Sequence, residues 1–243
     1  MPLINVEGLV LKTYDLGEKD RILVLLTKQH GKIRVVAKGA RRPGGRFAAL
    51  EPLVEVQAAI YTGKNLHTLN QAVLVTSHRQ VREKLDLLAY GLFMAELLDL
   101  FTIDAEVQLA NYQLLSQALY RLEQDDPVTL LAYFQTQLLL QMGLLPAWEA
   151  CTCCQVSDKP LVTLNAAIGG LVCSACTQKV GGMPVERETV LLLQYYAQVG
   201  WEGYGQVEAY PYVRQLTKVL EQFIFYHLAA RPRSYDFLSA MRR

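Results

Sequence analysis

Two Cys-x-x-Cys pairs restrict the fold of the middle of this chain more than any other pattern in it. The first pair is Cys151 and Cys154, and the second pair, after 18 intervening residues, is Cys173 and Cys176. Each pair can offer two thiolates to one tetrahedral metal ion, and this spacing is typical of a zinc site. Four thiolates close the coordination sphere, so the pattern predicts one structural zinc ion rather than a catalytic one.

Other uses of paired cysteines fit the sequence less well. Disulfides are typical of secreted proteins, but the first ten residues lack the basic segment and the long apolar run of a signal peptide. A redox motif normally has one Cys-x-x-Cys pair, and a nucleobase deaminase adds a His-x-Glu element that none of the four histidines supplies. Oxidised or metal-free thiols remain the alternative to zinc. Cys153 is either a bystander or a substitute ligand in another register.

Charge is distributed unevenly along the 243 residues, although the net charge is only +1. Residues 1–80 contain 12 Lys/Arg and 6 Asp/Glu, residues 81–150 contain 3 and 10, and residues 151–243 contain 9 and 7. Between residues 21 and 50 there are eight basic residues and no acidic one. A basic run of this kind indicates contact with nucleic-acid phosphates. The candidate DNA-binding residues are Lys32, Arg34, Lys38, Arg41, Arg42 and Arg46.

The first 80 residues predict a small β-barrel. Apolar and β-branched residues are concentrated, between turn residues, in segments 5–13, 21–27, 32–37, 53–61 and 66–75. Five short strands in this length favour a five-stranded OB-fold. Alternation in the third strand directs Ile33, Val35 and Ala37 into the barrel core, and Lys32 and Arg34 outward. The outward row would continue into the basic, glycine-containing loop that follows, as expected of a groove that binds a phosphate backbone.

Helical periodicity replaces the strand pattern from Val81 onward. Helices are predicted from 81 through the following leucine-rich segment, at 107–122, from 126 to about 143, from 184 to about 199, and from 211 to about 230. The predicted domains are 1–80 for the OB-fold, 81–147 and 181–243 for two parts of a helical domain, and 148–180 for an inserted four-cysteine zinc finger. The fold class is therefore α+β and multidomain.

The sequence contains no recognisable catalytic motif. Walker, GxGxxG, GxSxG and HExxH patterns are absent. No apolar run reaches the ~18 residues that a membrane span needs. We therefore expect a non-enzymatic, cytoplasmic protein whose barrel binds DNA. The alternative is a zinc-bearing scaffold for protein interactions in transcription or translation, whose acidic helical middle binds a basic protein. A metal-dependent enzyme is the third reading.

With this order of elements the chain resembles the RecO family of bacterial DNA repair proteins, which are recombination mediators. The resemblance spans essentially the whole chain and rests on several short segments. These are residues 8–11, 17–23, 31–32, 37–43, 46–47, 50–53 and 143–146. The chain departs from the family at Gly44-Gly45, where a Lys-Ser pair is common, and at Ala48-Ala49, where glycines are common.

The resemblance implies a fuller function than the residues indicate by themselves. Such proteins bind single- and double-stranded DNA, anneal complementary strands and work with the partner RecR. They help the recombinase RecA to replace single-strand binding protein on DNA, which implies a nucleoid-associated location in the cytoplasm. The residues alone support only the first step, a basic barrel that binds phosphates.

Overall fold

The computed structural model describes residues 2–64, 66–206 and 210–242. These fall into two compact units, one formed by Met1–Glu123 with Pro232–Arg243 and the other by Gln124–Arg231. The first unit combines the predicted barrel with helices that the sequence assigned to a separate domain. The predicted domain ranges also include Met1, Asn65, residues 207–209 and Arg243, which lie outside the described residues.

The first unit begins with a closed barrel of five strands. They are β1 (Leu3–Leu16), β2 (Asp20–Thr27), β3 (Gly31–Ala37), β4 (Glu55–Tyr61) and β5 (His67–Thr76). The order around the barrel is β1-β2-β3-β5-β4, and only the β3–β5 pairing is parallel. The long strand β1 pairs with β4 through its first half and with β2 through its second half. The prediction of a five-stranded OB-like barrel is confirmed.

Alternating side chains fill the barrel interior. Ile33, Val35 and Ala37 belong to this core, as predicted from the alternation in the third strand. Phe47 and Leu50, from the connection between β3 and β4, are buried in the same cluster. The connection is therefore tied to the barrel by its apolar residues, while the charged residues between them and β3 stay outside.

Helices form most of the remaining described structure. They are α1 (Arg79–Glu83), α2 (Leu85–Phe101), α3 (Leu109–Leu122), α4 (Pro127–Gln141), α5 (Ser174–Val180), α6 (Arg187–Gln198), α7 (Tyr210–Leu228) and α8 (Ser234–Met241). The C-terminal helix α8 packs on α2 within the first unit. The carboxylate of Glu96 accepts from the backbone N–H groups of Arg233 and Ser234, at 3.0 and 2.7 Å, so it supplies the cap at the start of α8. Within the described ranges, every helix is too short or too polar to span a bilayer.

Asp99 of α2 forms ion pairs with two lysines of the barrel. Its carboxylate pairs with Lys12 of β1 and lies 3.3 Å from Nζ of Lys32 of β3, which also donates to the Asp99 carbonyl at 2.6 Å. Burial acts to lower the pKa of Lys12, but the hydrogen bond and the charge of Asp99 outweigh it and raise that pKa. The Lys32 and Asp99 side chains are only 7% and 5% exposed. Removal of the Asp99 charge would therefore leave the buried Lys32 with only the half-exposed Asp104 as a counterion.

Glu55 makes a second polar contact between the barrel and the helices. Its carboxylate lies 3.1 Å from Nε2 of His78 and accepts from the hydroxyls of Ser116 and Tyr112 at 2.8 and 3.1 Å. Burial acts to raise the pKa of Glu55, but His78 and the hydroxyl donors lower it below its ordinary value. The contribution of Glu55 to stability is therefore present above the pKa of the unfolded carboxyl, and it is lost as the pH falls through the folded pKa.

The second unit contains helices around an aromatic cluster and a small sheet. Helix α4 begins as predicted, because Asp126 accepts from the backbone N–H of Thr129 at 2.7 Å and Pro127 occupies the first turn. The ring of Tyr133 stacks on that of Tyr204, with the centroids 4.8 Å apart. The sheet has the order β7-β6-β8 and consists of β6 (Leu161–Asn165), β7 (Gly170–Cys173) and β8 (Met183–Pro184).

The buried lysine contact gives a stability prediction. We expect Asp99→Asn to lower the free energy of unfolding by about 3 kcal/mol, because Lys12 loses its carboxylate partner and the buried Lys32 keeps only the half-exposed Asp104 as a counterion. Asp104→Asn is the matched control, since Asp104 also pairs with Lys32 but its side chain is 43% exposed. The control should cost less than about 1 kcal/mol. Urea unfolding of the two variants measures both values, and equal losses would contradict the buried ion pair.

Candidate nucleic-acid interface and metal centre

The four predicted cysteines come together in the second unit. Their sulfur atoms all lie within 4.8 Å of one another, and the Sγ atoms of Cys154 and Cys173 are 3.9 Å apart. Tetrahedral coordination with Zn–S bonds of about 2.3 Å requires sulfur atoms about 3.8 Å apart. The cluster therefore has the composition and the spacing to hold a metal ion such as zinc. Cys153 is exposed and stands outside this cluster.

Backbone contacts around the small sheet bring the two cysteine pairs together. Cys173 ends β7, and Cys176 lies in the first turn of α5, directly after it. The N–H of Thr152 donates to the carbonyl of Leu171 at 2.9 Å, which places the first pair beside β7. Gly170 is required in this contact, because a Cβ there would overlap Thr152 and Ala147.

The electrostatic surroundings of the four thiols differ. Burial acts to raise the pKa of the Cys151 thiol, but backbone N–H groups, above all that of Cys173 at 3.3 Å from Sγ, lower it to about 6. The neighbouring Cys154 thiol and burial raise the pKa of Cys176 above its ordinary value. A bound cation would favour the thiolate form of all four ligands.

The six predicted DNA-binding residues do not form one row. Four of them are exposed in the segment between β3 and β4 that we call the basic loop, residues 38–46. They are Lys38, Arg41, Arg42 and Arg46. Arg34 is also exposed but pairs with Asp104. Lys32 is buried.

Burial of Lys32 corrects the expectation that its outward direction brings it to solvent. The side chain does point away from the barrel core, but Asp99 of α2 lies over it. The segment after α2 covers the same end of β3, since the N–H of Ala105 donates to the carbonyl of Lys32 at 2.9 Å. Outward alternation therefore places Lys32 in a contact between barrel and helix.

Residues of the basic loop differ in whether their side chains already have hydrogen-bond or ion-pair partners within the chain. Arg41 pairs with Asp15 at 3.2 Å and donates to the carbonyl of Gly17 at 2.5 Å. Arg46 donates to the carbonyl of Asn70, and its guanidinium lies 4.5 Å from the centroid of the Phe47 ring. Within residues 2–64, 66–206 and 210–242, neither Lys38 nor Arg42 has an ion-pair partner. These two cations are therefore fully available to an anion.

Helices cover part of the outer face of β1 and β2. OB-folds commonly receive oligonucleotides on the face of strands 2 and 3. Here Leu9 of β1 and Val24 and Leu26 of β2 lie outside the barrel core and yet are at most 1% exposed, because α2 packs on β1 and α3 packs on β1 and β2. A ligand of this barrel therefore has access to the loops and the exposed strand residues, but not to the surface formed by these three side chains.

The spacing of Glu96 and Asp99 on one helical face predicts charges at the surface edge of a core helix, but the structure buries Asp99. It occupies an apolar-face position of its helix, between two leucines. A charge at a position that periodicity assigns to the core indicates a buried counterion. That signal could have identified a lysine as its partner, though not which one.

The barrel and the cysteine cluster place the chain in the class of multidomain proteins that join an OB-like barrel to helices with a cysteine-rich module. Two family models cover nearly all of it. The model described as Recombination protein O N terminal matches residues 1–78, and that described as Recombination protein O C terminal matches residues 82–236. The chain therefore belongs to the RecO family of DNA repair and recombination proteins, as its resemblance predicted.

Individual relatives agree with this assignment. The chain is 38% identical to DNA repair protein RecO of Symbiobacterium thermophilum over 188 aligned residues. This alignment covers 75% of the chain and 74% of the relative. It is 31% identical to the protein of the same name from Moorella thermoacetica over 242 residues, and this alignment covers 98% of the chain and 91% of the relative. It is 30% identical to DNA repair protein RecO of Bacillus subtilis over 243 residues, and this alignment covers 98% of the chain and 95% of the relative.

The cysteine geometry predicts which thiols retain a metal. Cys176→Ser should abolish metal retention, because it removes one of four ligands, whereas Cys153→Ser should retain the wild-type metal content. Elemental analysis of freshly reduced protein measures the metal-to-chain ratio in both variants. Metal loss in Cys153→Ser, or full retention in Cys176→Ser, would contradict the four-cysteine site.

Proposed function

We propose that the chain is a non-enzymatic recombination mediator that binds single- and double-stranded DNA through its barrel. The observation that carries this proposal is the basic loop, where Lys38 and Arg42 are exposed and lack an ion-pair partner among the described residues. Membership of a DNA repair and recombination family supports the same conclusion. Affinity that comes from phosphate contacts does not depend on sequence, which suits a protein that acts wherever DNA is damaged.

The proposed phosphate contacts are the exposed cations of the barrel. They are Lys38, Arg41, Arg42 and Arg46 of the basic loop, together with Arg34 of β3. Lys32 is left out, because its ammonium is buried against Asp99. Arg41 and Arg34 would each exchange a carboxylate partner for a phosphate, so we expect them to contribute less than Lys38 and Arg42.

The metal proposed for the four cysteines is one zinc ion with a structural role. Four thiolates in tetrahedral positions favour zinc, and they leave no coordination position for water or substrate. The zinc would hold the turn with Cys151 against β7 and α5, and the cysteine module would lose its fold without it. About one zinc per chain is the expected content of the purified protein.

The mediator function extends this DNA binding to other proteins. We propose that the chain anneals complementary strands and, together with RecR, helps RecA to replace single-strand binding protein on DNA. Family membership and the relatives named DNA repair protein RecO support this step. The alternative function, a zinc-bearing scaffold for protein interactions, requires no affinity for DNA and is distinguished by measuring that affinity.

Salt dependence tests the phosphate contacts. If the four residues of the basic loop contact phosphates, the logarithm of single-strand affinity should fall against the logarithm of salt concentration with a slope of about −3. Lys38→Ala/Arg42→Ala should flatten this slope by about 1.4, because two contacts no longer release counterions. Fluorescence anisotropy with a labelled oligonucleotide measures the slope.

Arg79→Ala/Lys84→Ala is the matched control for this double variant. It also removes two exposed positive charges from the first unit, but from α1 and the residue after it. The control should keep the wild-type slope. Equal flattening in both variants would mean that net charge, and not the basic loop, determines the affinity. Lack of DNA affinity in the wild-type chain at low salt would favour the scaffold.

The mediator step requires a separate measurement. With complementary strands coated by single-strand binding protein, we expect the wild-type chain to accelerate annealing and Lys38→Ala/Arg42→Ala to lose most of that acceleration. With RecR added, the wild-type chain should also speed the assembly of RecA on the coated strand. A wild-type chain that binds bare DNA but accelerates neither process would be a DNA-binding protein without mediator function.

A further inference from the structure

The barrel has a second face that the helices leave open. It is formed by the first half of β1 with β4 and β5, where Asn5, Gln57 and Gln71 are exposed. The strand register places these side chains on the same side of the sheet. Ala59 of β4 lies opposite both Asn5 of β1 and Gln71 of β5. Gln57 lies two residues before Ala59, so its side chain points to the same side. Three carboxamides from three adjacent strands therefore share a single surface.

These carboxamides line a cleft of about 460 Å³. Gln29, at the tip of the β2–β3 hairpin, contributes a fourth amide, and its carbonyl accepts from the backbone N–H of Glu7 at 3.2 Å. Glu7 is the one charged residue of the lining, and Lys28 neutralises it. The cleft therefore combines carboxamides with apolar side chains such as Val73 and is nearly neutral, so it offers hydrogen bonds and apolar contact without attracting phosphates.

Carboxamides have the chemistry that recognises the edges of nucleobases. Each one carries an acceptor oxygen and two N–H donors, which match the mixed donor and acceptor groups of a base. A peptide is a poorer match, because an extended peptide binds to a free strand edge and a closed barrel has none. The edges of unpaired bases are exposed, whereas in a duplex the partner strand occupies the pairing edges.

The cleft adjoins the basic loop. Arg46 donates to the carbonyl of Asn70, so the end of the loop is fixed to β5 directly beside Gln71. A strand whose phosphates follow the loop toward Arg46 thus reaches the cleft without crossing the face that α2 and α3 cover. The basic loop and the cleft are therefore joined at β5, through the neighbouring residues Asn70 and Gln71.

We propose that this cleft binds unpaired bases of single-stranded DNA, through Gln57 and Gln71 in particular. The inference rests on the DNA binding proposed above and adds a preference for single strands. The phosphate contacts of the basic loop serve both DNA forms, while the carboxamides contact only bases that lack a partner strand. Base contacts release no counterions, so they contribute to affinity without changing its salt dependence.

The test compares Gln57→Ala/Gln71→Ala with the wild-type chain on a mixed-sequence oligonucleotide and on its duplex. Loss of two hydrogen-bonding groups should weaken single-strand binding about tenfold. Duplex affinity should stay within about twofold, and the single-strand salt slope should be unchanged. Gln113→Ala/Gln117→Ala, which removes two exposed carboxamides from α3, is the matched control and should bind both DNA forms like the wild type.

The outcomes separate this inference from the proposed function. If the wild-type chain binds neither DNA form, the proposed function fails together with the inference. If the wild type binds both forms with a steep salt slope while Gln57→Ala/Gln71→Ala binds single strands equally well, only the inference fails. Equal weakening on single strands and duplex would also overturn it, because the cleft would then contribute no strand preference. Circular dichroism and the unfolding midpoint establish that each variant is folded.

Discussion

Helices α2 and α3 lie against an apolar outer surface of the barrel, and the surface that the first unit leaves exposed depends on that contact. Leu9, Val24 and Leu26 would otherwise expose apolar side chains on the outside of β1 and β2. Burial of one such side chain is worth about 1.5–3 kcal/mol. The buried ion pair of Asp99 and Lys32 also fixes the position of α2 on the barrel, because a shifted helix would separate two buried charges. The result is a barrel in which helices cover part of the usual ligand face.

The part of the barrel that the helices cover determines which surfaces of the first unit remain accessible to a ligand. The basic loop continues from β3 beyond the covered region, and its apolar residues Phe47 and Leu50 fix it to the barrel core. The other remaining surface is the carboxamide face of β1, β4 and β5. The cations Lys38 and Arg42, which have no ion-pair partner among the described residues, thus lie on the loop, while the exposed carboxamides lie on β1, β4 and β5. Such a separation distinguishes phosphates from bases by position.

Sequence patterns predicted the parts of the fold that depend on local periodicity. The five strands, the start of α4 at Asp126 and the cysteine cluster all follow from residues that lie close together in the chain. Alternation also assigned Ile33 correctly to the barrel core. These predictions succeeded because turn chemistry, capping and ligand spacing are short-range properties.

The burial of Lys32 could not be predicted in the same way. Alternation says which side of a strand a residue occupies, but not whether that side faces water or a helix 67 residues further along the chain. One signal was present in β2, where residues 22–26 are apolar without interruption. Such a run is typical of a strand that is buried on both faces. Read in that way, it would have predicted a covered outer face, and with it a lysine in need of a buried carboxylate. The carboxamide cleft left no comparable signal, because Asn5, Gln57 and Gln71 are far apart in sequence and meet only through the pairing of three strands.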